Sequence, residues 1–207
     1  MKPIIMSTED VRGIMDGRKT MARIPIKPQP EFTQVHVWDG NLLYDGGNRT
    51  WCWKQHVSPD CWNEIDWLEQ FAPYKPGDAL WVRETWKVDA SDNYNDSYAY
   101  KSDGGIEKYP NNMLLWRSPV TMPREAARLF LRVKDVRVER VQDIPEKDAE
   151  AEGFRTECGP LSSCPTCNVS EFRNAWDARN AKRGYGWDTN PFCWVIEFER
   201  VEKGVKE

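Results

Sequence analysis

Apolar and polar residues alternate along much of this chain with the period of a strand. From Ala127 to Gln142 the apolar positions Leu129, Leu131 and Val133 are followed by Val136, Val138 and Val141, with the phase slipping near Asp135. That is the pattern of one long strand carrying a bulge. Shorter runs at residues 3–6 (PIIM), Ala79–Trp86 and Cys193–Glu199 read as further strands, the second entered through the turn Lys75-Pro76-Gly77-Asp78. Residues 18–26 read as another strand, closed by Pro28 and Pro30.

Helical spacing is confined to three places. Val11, Ile14 and Met15 share a face behind an N-cap at Ser7, with Asp10 three residues on and Gly17 as the stop. Pro145 opens a short acidic helix, EKDAEAEG, ended by Gly153, and Ser170 is expected to cap EFRNAWDARNAK, which stops at Gly184. Pro123 suits the start of a helical turn. Residues 31–75 read as hairpins around Asp39-Gly40 and Asp45-Gly46. Residues 89–112 read as a polar loop with one short strand at Tyr98–Lys101, and residues 158–168 as a loop insertion. Many short strands and few, separated helices predict an α+β fold: a mixed, barrel-like sheet with a few flanking helices and long loop insertions. With 207 residues and no repeat or low-complexity linker, residues 1–207 are expected to form a single domain.

A composition of 40% hydrophobic and 30% charged residues is that of an ordinary globular chain. No run approaches the 18 apolar residues of a membrane span, and MKPIIMSTED has no signal-peptide pattern. The expectation is a cytoplasmic protein with no membrane partner. A net charge of −4 argues against a protein that grips nucleic-acid backbones, and fits a small or extruded nucleotide better. Eleven tryptophans are mostly packing, but some could stack on a flat ligand.

The six cysteines are expected to be thiols or ligands rather than disulfides. Cys158, Cys164 and Cys167 place three zinc-ligand types in one loop. A fourth would have to come from Cys52, Cys61, Cys193, His36 or His56, and the alternative is a surface loop with free thiols. A lone CxxC assigns no metal, and no cofactor is expected. The H-x-E…P-C-x-x-C pattern of zinc deaminases, the G-x-S-x-G and H-E-x-x-H hydrolase motifs and the glycine-rich phosphate cradles are all missing. Catalysis is thereby left to Lys, Glu, Ser/Thr or Tyr. The run Gly17-Arg18-Lys19-Thr20-Met21-Ala22-Arg23 puts Lys19, Met21 and Arg23 on one side of a strand and Thr20 and Ala22 on the other. Two readings stand: a solvated basic edge, or a desolvated lysine able to move a proton or polarise a carbonyl with a carboxylate partner.

Gly17–Arg23 resembles the Gly-x-Lys…Arg signature of ASCH domains, members of the PUA-like superfamily. Together with STEDVRGIMDGRKT, IKPQP, GDALWVRETW, MPREAARLFLRVKDVRVERVQDI and AKRGYGWDTNPFCWVIEFERV, it makes the whole chain similar to the larger ASCH-like proteins of bacteriophages and prophages. The resemblance implies a PUA-like barrel. A branch of small bacterial ASCH proteins hydrolyses N4-acetylcytidine to cytidine and acetate, which implies an amidohydrolase acting on a modified pyrimidine nucleoside. Its lysine falls on Lys19, its glutamate on Glu152, and its catalytic threonine on Ala22. The missing hydroxyl leaves two accounts: an inactivating Thr→Ala replacement, or a protein that binds without turnover or uses water directly. In an active form Lys19 would take the threonine proton and Glu152 would protonate the departing N4 amine. Trp86, Tyr185 and Trp187 would stack on the base, Arg23 would bond its O2 or anchor the glutamate, and Glu84 would accept from a ribose hydroxyl or base amine. The long loops (31–75 and 89–120) could admit larger acyl groups. The rivals are a non-enzymatic reader of modified bases in RNA or DNA, with RNA as partner, and an RNA-cleaving ASCH protein.

Overall fold

The computed structural model describes residues 1–29, 32–34, 51–53, 71–89, 97–104, 115–155 and 167–202. Nine strands run β1 (Lys2–Ile5), β2 (Met21–Pro25), β3 (Phe32–Gln34), β4 (Trp51–Trp53), β5 (Ala79–Arg83), β6 (Trp86–Asp89), β7 (Ser97–Tyr100), β8 (Phe130–Arg140) and β9 (Phe192–Val201) among the described residues. Among the described residues the α-helices are α1 (Thr8–Met15), α2 (Glu146–Ala151) and α3 (Cys167–Asn180).

Five strands form a mixed sheet in the order β1-β5-β8-β9-β2, with β1 parallel to β5 and the other pairs antiparallel. Two hairpin-like pairs, β3–β4 and β6–β7, stand apart from it. The fold is α+β with a mixed sheet and few helices. Among the described residues the sheet is open, with β1 and β2 as its edges. The long strand is β8, and its register against β9 shifts between Val133 and Asp135, where the alternation slipped. Above the bulge and below it, the same face can keep supplying Leu131, Val133, Val136 and Val138 to the core.

β9 is buried on both faces. Trp194, Ile196 and Phe198 enter one core with Ile4, Val11, Ile14, Leu80 and Leu131, while Cys193 and Val195 enter a second with Met21, Ile144, Ala149, Phe172 and Trp176. So α1 covers one side of the sheet, and α2 and α3 cover the other. A third cluster gathers Trp81, Trp86, Tyr100, Met122 and Phe130.

Two boundaries differ from the sequence expectation. The run Ala79–Trp86 is two strands, because the chain breaks at the buried Glu84 and Trp86 pairs instead with Tyr100 of β7. Ser170 lies inside α3, which starts at Cys167. The carboxylate of Glu146 accepts the Asn168 and Val169 N–H groups at 3.2 Å, so a side chain from α2 caps this helix. Residues 35–50 and 54–70, most of the hairpin region, lie outside the described residues, as do Cys158 and Cys164.

Candidate functional site

Lys19 occupies the short crossing from α1 to β2, and its placement is built from glycines. Gly17 takes a φ of 73° and turns the chain off the helix, while the Gly13 carbonyl accepts the N–H groups of Arg18 (2.8 Å) and Lys19 (2.9 Å). The Thr20 N–H then donates to Ala151 O at 2.8 Å, and Lys19 bridges Glu152 across the end of α2. A Cβ at Gly13 would stand 3.1 Å from Lys19 Cβ, and one at Gly153 would stand 3.4 Å away. The lysine stem therefore packs directly against Gly13, where a side chain would crowd it, and against Gly153, which is held glycine by its φ of 98°.

At the end of that stem the ammonium meets three oxygens. Nζ lies 2.6 Å from Glu152 Oε2, 3.0 Å from Glu152 O and 3.2 Å from Asp10 Oδ1. Of the three ammonium donors two are hydrogen-bonded, both to Glu152, while Asp10 adds an ion pair. The Lys19 and Glu152 side chains are 2% and 3% exposed. Of the two sequence readings of Lys19, the structure thus realises the desolvated one with a carboxylate partner.

The other face of the glutamate looks toward Arg23, whose side chain is fully buried. Arg23 Nη1 is 3.6 Å from Glu152 Oε1, too long for a hydrogen bond, and both Glu152 Oε1 and Arg23 Nε have no hydrogen-bond partner among the described residues. Arg23 Nη2 donates to Glu139 Oε2 and Asp148 Oδ2, each at 2.8 Å, and Arg137 shares the same two carboxylates at 2.5 and 2.6 Å. Desolvation works to lower the Arg23 pKa, but Glu152, Asp148 and Glu139 outweigh it and hold the guanidinium more firmly charged than usual.

Asp10 closes the array on the other side. Its Oδ2 accepts from Ser7 Oγ (2.7 Å), Ser7 N (3.1 Å) and Arg179 Nη1 (2.9 Å). Burial works to raise this carboxyl, yet Lys19, Arg179 and the Ser7 hydrogen bonds prevail and hold it at about 2. Asp10, Glu139, Asp148 and Glu152 thus alternate with Lys19, Arg23, Arg137 and Arg179, four charges of each sign. Sequence reasoning used Asp10 only as the partner of the Ser7 cap. The missed signal was its place directly before Val11 and four residues before Ile14, which puts it at the margin of the helix's buried face.

The remaining expected site residues are not brought to this array. Ala22 points the other way from Lys19, into the first core beside residues such as Ile4, Val11 and Ile14. Glu84 is buried in a separate network: it accepts from Ser102 Oγ and, at 2.9 Å, from Arg128 Nε, while Asp103 accepts from the same arginine. Trp86 is 3% exposed, edge-on to Tyr98 at 5.7 Å with Arg117 over its ring, so its faces are already taken by protein. Tyr185 and Trp187 are half-buried, Tyr185 under Lys27 and Trp187 against Phe172 at 6.2 Å. Phe172 also lies 6.0 Å beneath the Arg23 guanidinium, which joins Trp187 to the array at one remove.

No group of three or more metal-ligating side chains occurs among the described residues. Cys167 is disulfide-bonded, contrary to the expectation of thiols, and Cys193 is a buried thiol donating to Glu139 O at 3.3 Å. No helix among the described residues is long and apolar enough to cross a membrane.

Neither family models nor curated proteins match this chain. Among solved structures it is similar to the crystal structure of protein EF3133 from Enterococcus faecalis V583, described as DUF984. The TM-score is 0.43 at 10% identity, over 100% of this chain and 85% of that one. A likeness of this degree carries no argument about fold or function.

Proposed function

We propose that this protein is an amidohydrolase that removes the acyl group from N4-acylcytidine-type nucleosides. The supporting observation is the Lys19–Glu152 pair, an ammonium 2.6 Å from a carboxylate in a site almost wholly shielded from water. Amide hydrolysis asks for a cation to polarise the acyl carbonyl and an acid to protonate a poor amine leaving group. Lys19 serves as the first and Glu152 as the second, with Asp10 and Arg23 holding each in place. Trp187 and Tyr185 remain as aromatic surfaces for a pyrimidine; Trp86 and Glu84 have no part in this reading, since other residues occupy them. A PUA-like barrel and membership of the ASCH domain proteins belong to the same proposal.

The test is release of cytidine from N4-acetylcytidine, run with the protein as it stands and with Ala22→Thr. Turnover by either form supports the reading. Silence from both overturns it and favours a non-enzymatic reader of modified bases, a reading that the absent hydroxyl at Ala22 also favours. A reader of RNA or DNA would bind with an affinity falling steeply as salt rises, whereas a nucleoside enzyme would show little salt dependence.

A further inference from the structure

Resting on the hydrolase reading, we propose that the nucleophile is a water molecule held between Glu152 Oε1 and the Arg23 guanidinium, with Glu152 as its general base. Two buried polar atoms of opposite kind in the same small region, the acceptor Glu152 Oε1 and the donor Arg23 Nε, lack partners among the described residues. Buried polar groups are nearly always satisfied, and a bridging water is the usual solution where two such groups stand beyond direct reach. The 3.6 Å from Arg23 Nη1 to Glu152 Oε1 is such a separation. The opposite oxygen, Oε2, is tied to Lys19, so the carboxylate is anchored on one side and open to a proton on the other.

No side-chain nucleophile competes among the described residues of the array. Ala22 has no hydroxyl and faces the first core. Among the described residues Ser7 brings a hydroxyl to the array, and the helix cap uses it twice: it donates to Asp10 Oδ2 at 2.7 Å and accepts from Asp10 N at 3.1 Å, while the Cys193 thiol, which donates to Glu139 O at 3.3 Å, is pushed up to about 12 by burial and is no thiolate. The neighbour of Ser7, Asp10, strongly acidic between Lys19 and Arg179, is a poor base for activating its hydroxyl.

The step balances without any further reagent. The water oxygen bonds to the acyl carbon while one of its protons passes to Glu152 Oε1, and Lys19 stabilises the oxyanion. The carbon–N4 bond then breaks as Glu152 returns that proton to the departing nitrogen. Water and amide become carboxylic acid and cytidine, and the enzyme ends as it began.

Rapid-quench reaction of the unaltered protein with excess N4-acetylcytidine, with intact-protein mass measurement and added hydroxylamine, separates the outcomes. Expected are cytidine release without a burst, no acetylated protein, and no acetohydroxamate above background. Glu152→Gln should lower the rate by about 10²–10⁴-fold. An acetylated protein, or turnover that appears only with Ala22→Thr, overturns the water nucleophile while leaving the hydrolase reading intact. No turnover by either form overturns both.

Discussion

Replacing Lys19 with methionine tests whether the ammonium holds the array together. The change keeps the length of the stem in its slot between Gly13 and Gly153 and deletes only the charge. Two carboxylates lose a partner, but unequally. Asp10 keeps Arg179 at 2.9 Å and the Ser7 cap, whereas Glu152, 3% exposed, is left with Arg23 at 3.6 Å and no hydrogen bond to either oxygen. Stranding one buried charge costs about 3–5 kcal/mol. The methionine recovers about 1 kcal/mol by apolar burial. The expected net loss is about 3 kcal/mol, which at a urea slope of roughly 2 kcal/mol/M moves the midpoint down by about 1.5 M. Urea unfolding followed by tryptophan fluorescence reads it directly. The double variant Lys19→Met, Glu152→Gln removes both charges and should recover at least about 1 kcal/mol over the additive sum. Lys134→Met, which breaks an exposed 3.2 Å pair with Glu197, should stay within about 0.5 kcal/mol of the parent. If Lys19→Met matches Lys134→Met with an unchanged slope, the pair is not desolvated and the reasoning fails.

Three further outcomes follow from the same geometry. Asp10 has its pKa lowered from 3.8 to about 2 on folding, so its stabilisation is complete above pH 3.8 and is lost as pH falls through 2. Asp10→Asn should therefore cost about 2 kcal/mol at neutral pH, and the gap to the parent should close below pH 3 in acid titrations; a gap constant down to pH 2 would contradict the shift. Gly13→Ala should destabilise by about 1–2 kcal/mol in thermal unfolding, although alanine favours a helix by about 1 kcal/mol, because its Cβ would lie 3.1 Å from that of Lys19. Stabilisation would show that the slot yields. Burial pushes the Cys193 thiol up to about 12, so iodoacetamide at pH 8 should leave Cys193 unmodified in the native protein and label it in urea, as read by peptide mass; rapid native labelling would refute its burial.

Local order was legible in the residues themselves. The slip of phase near Asp135 announced the β8 bulge, Ser7 with Asp10 announced the capping box, and Gly17 and Gly153 marked helix ends that do take positive φ. Each is decided by neighbours within a few residues, through period, capping or φ preference, so a linear pattern contains it. The contacts that matter for chemistry are not local. Only the tertiary fold carries Glu152 to Lys19 across 133 positions and Arg179 to Asp10 across 169, and only it turns Ala22 away from both. The same holds for Glu146 capping α3 from a different helix, and for Trp86, whose faces are closed by Tyr98 and Arg117. A charge in sequence looks the same whether it ends in water or in a slot between glycines. Which of the two it meets is set by packing among distant elements, and that decides whether Lys19 is a solvated surface charge or one half of a buried ion pair.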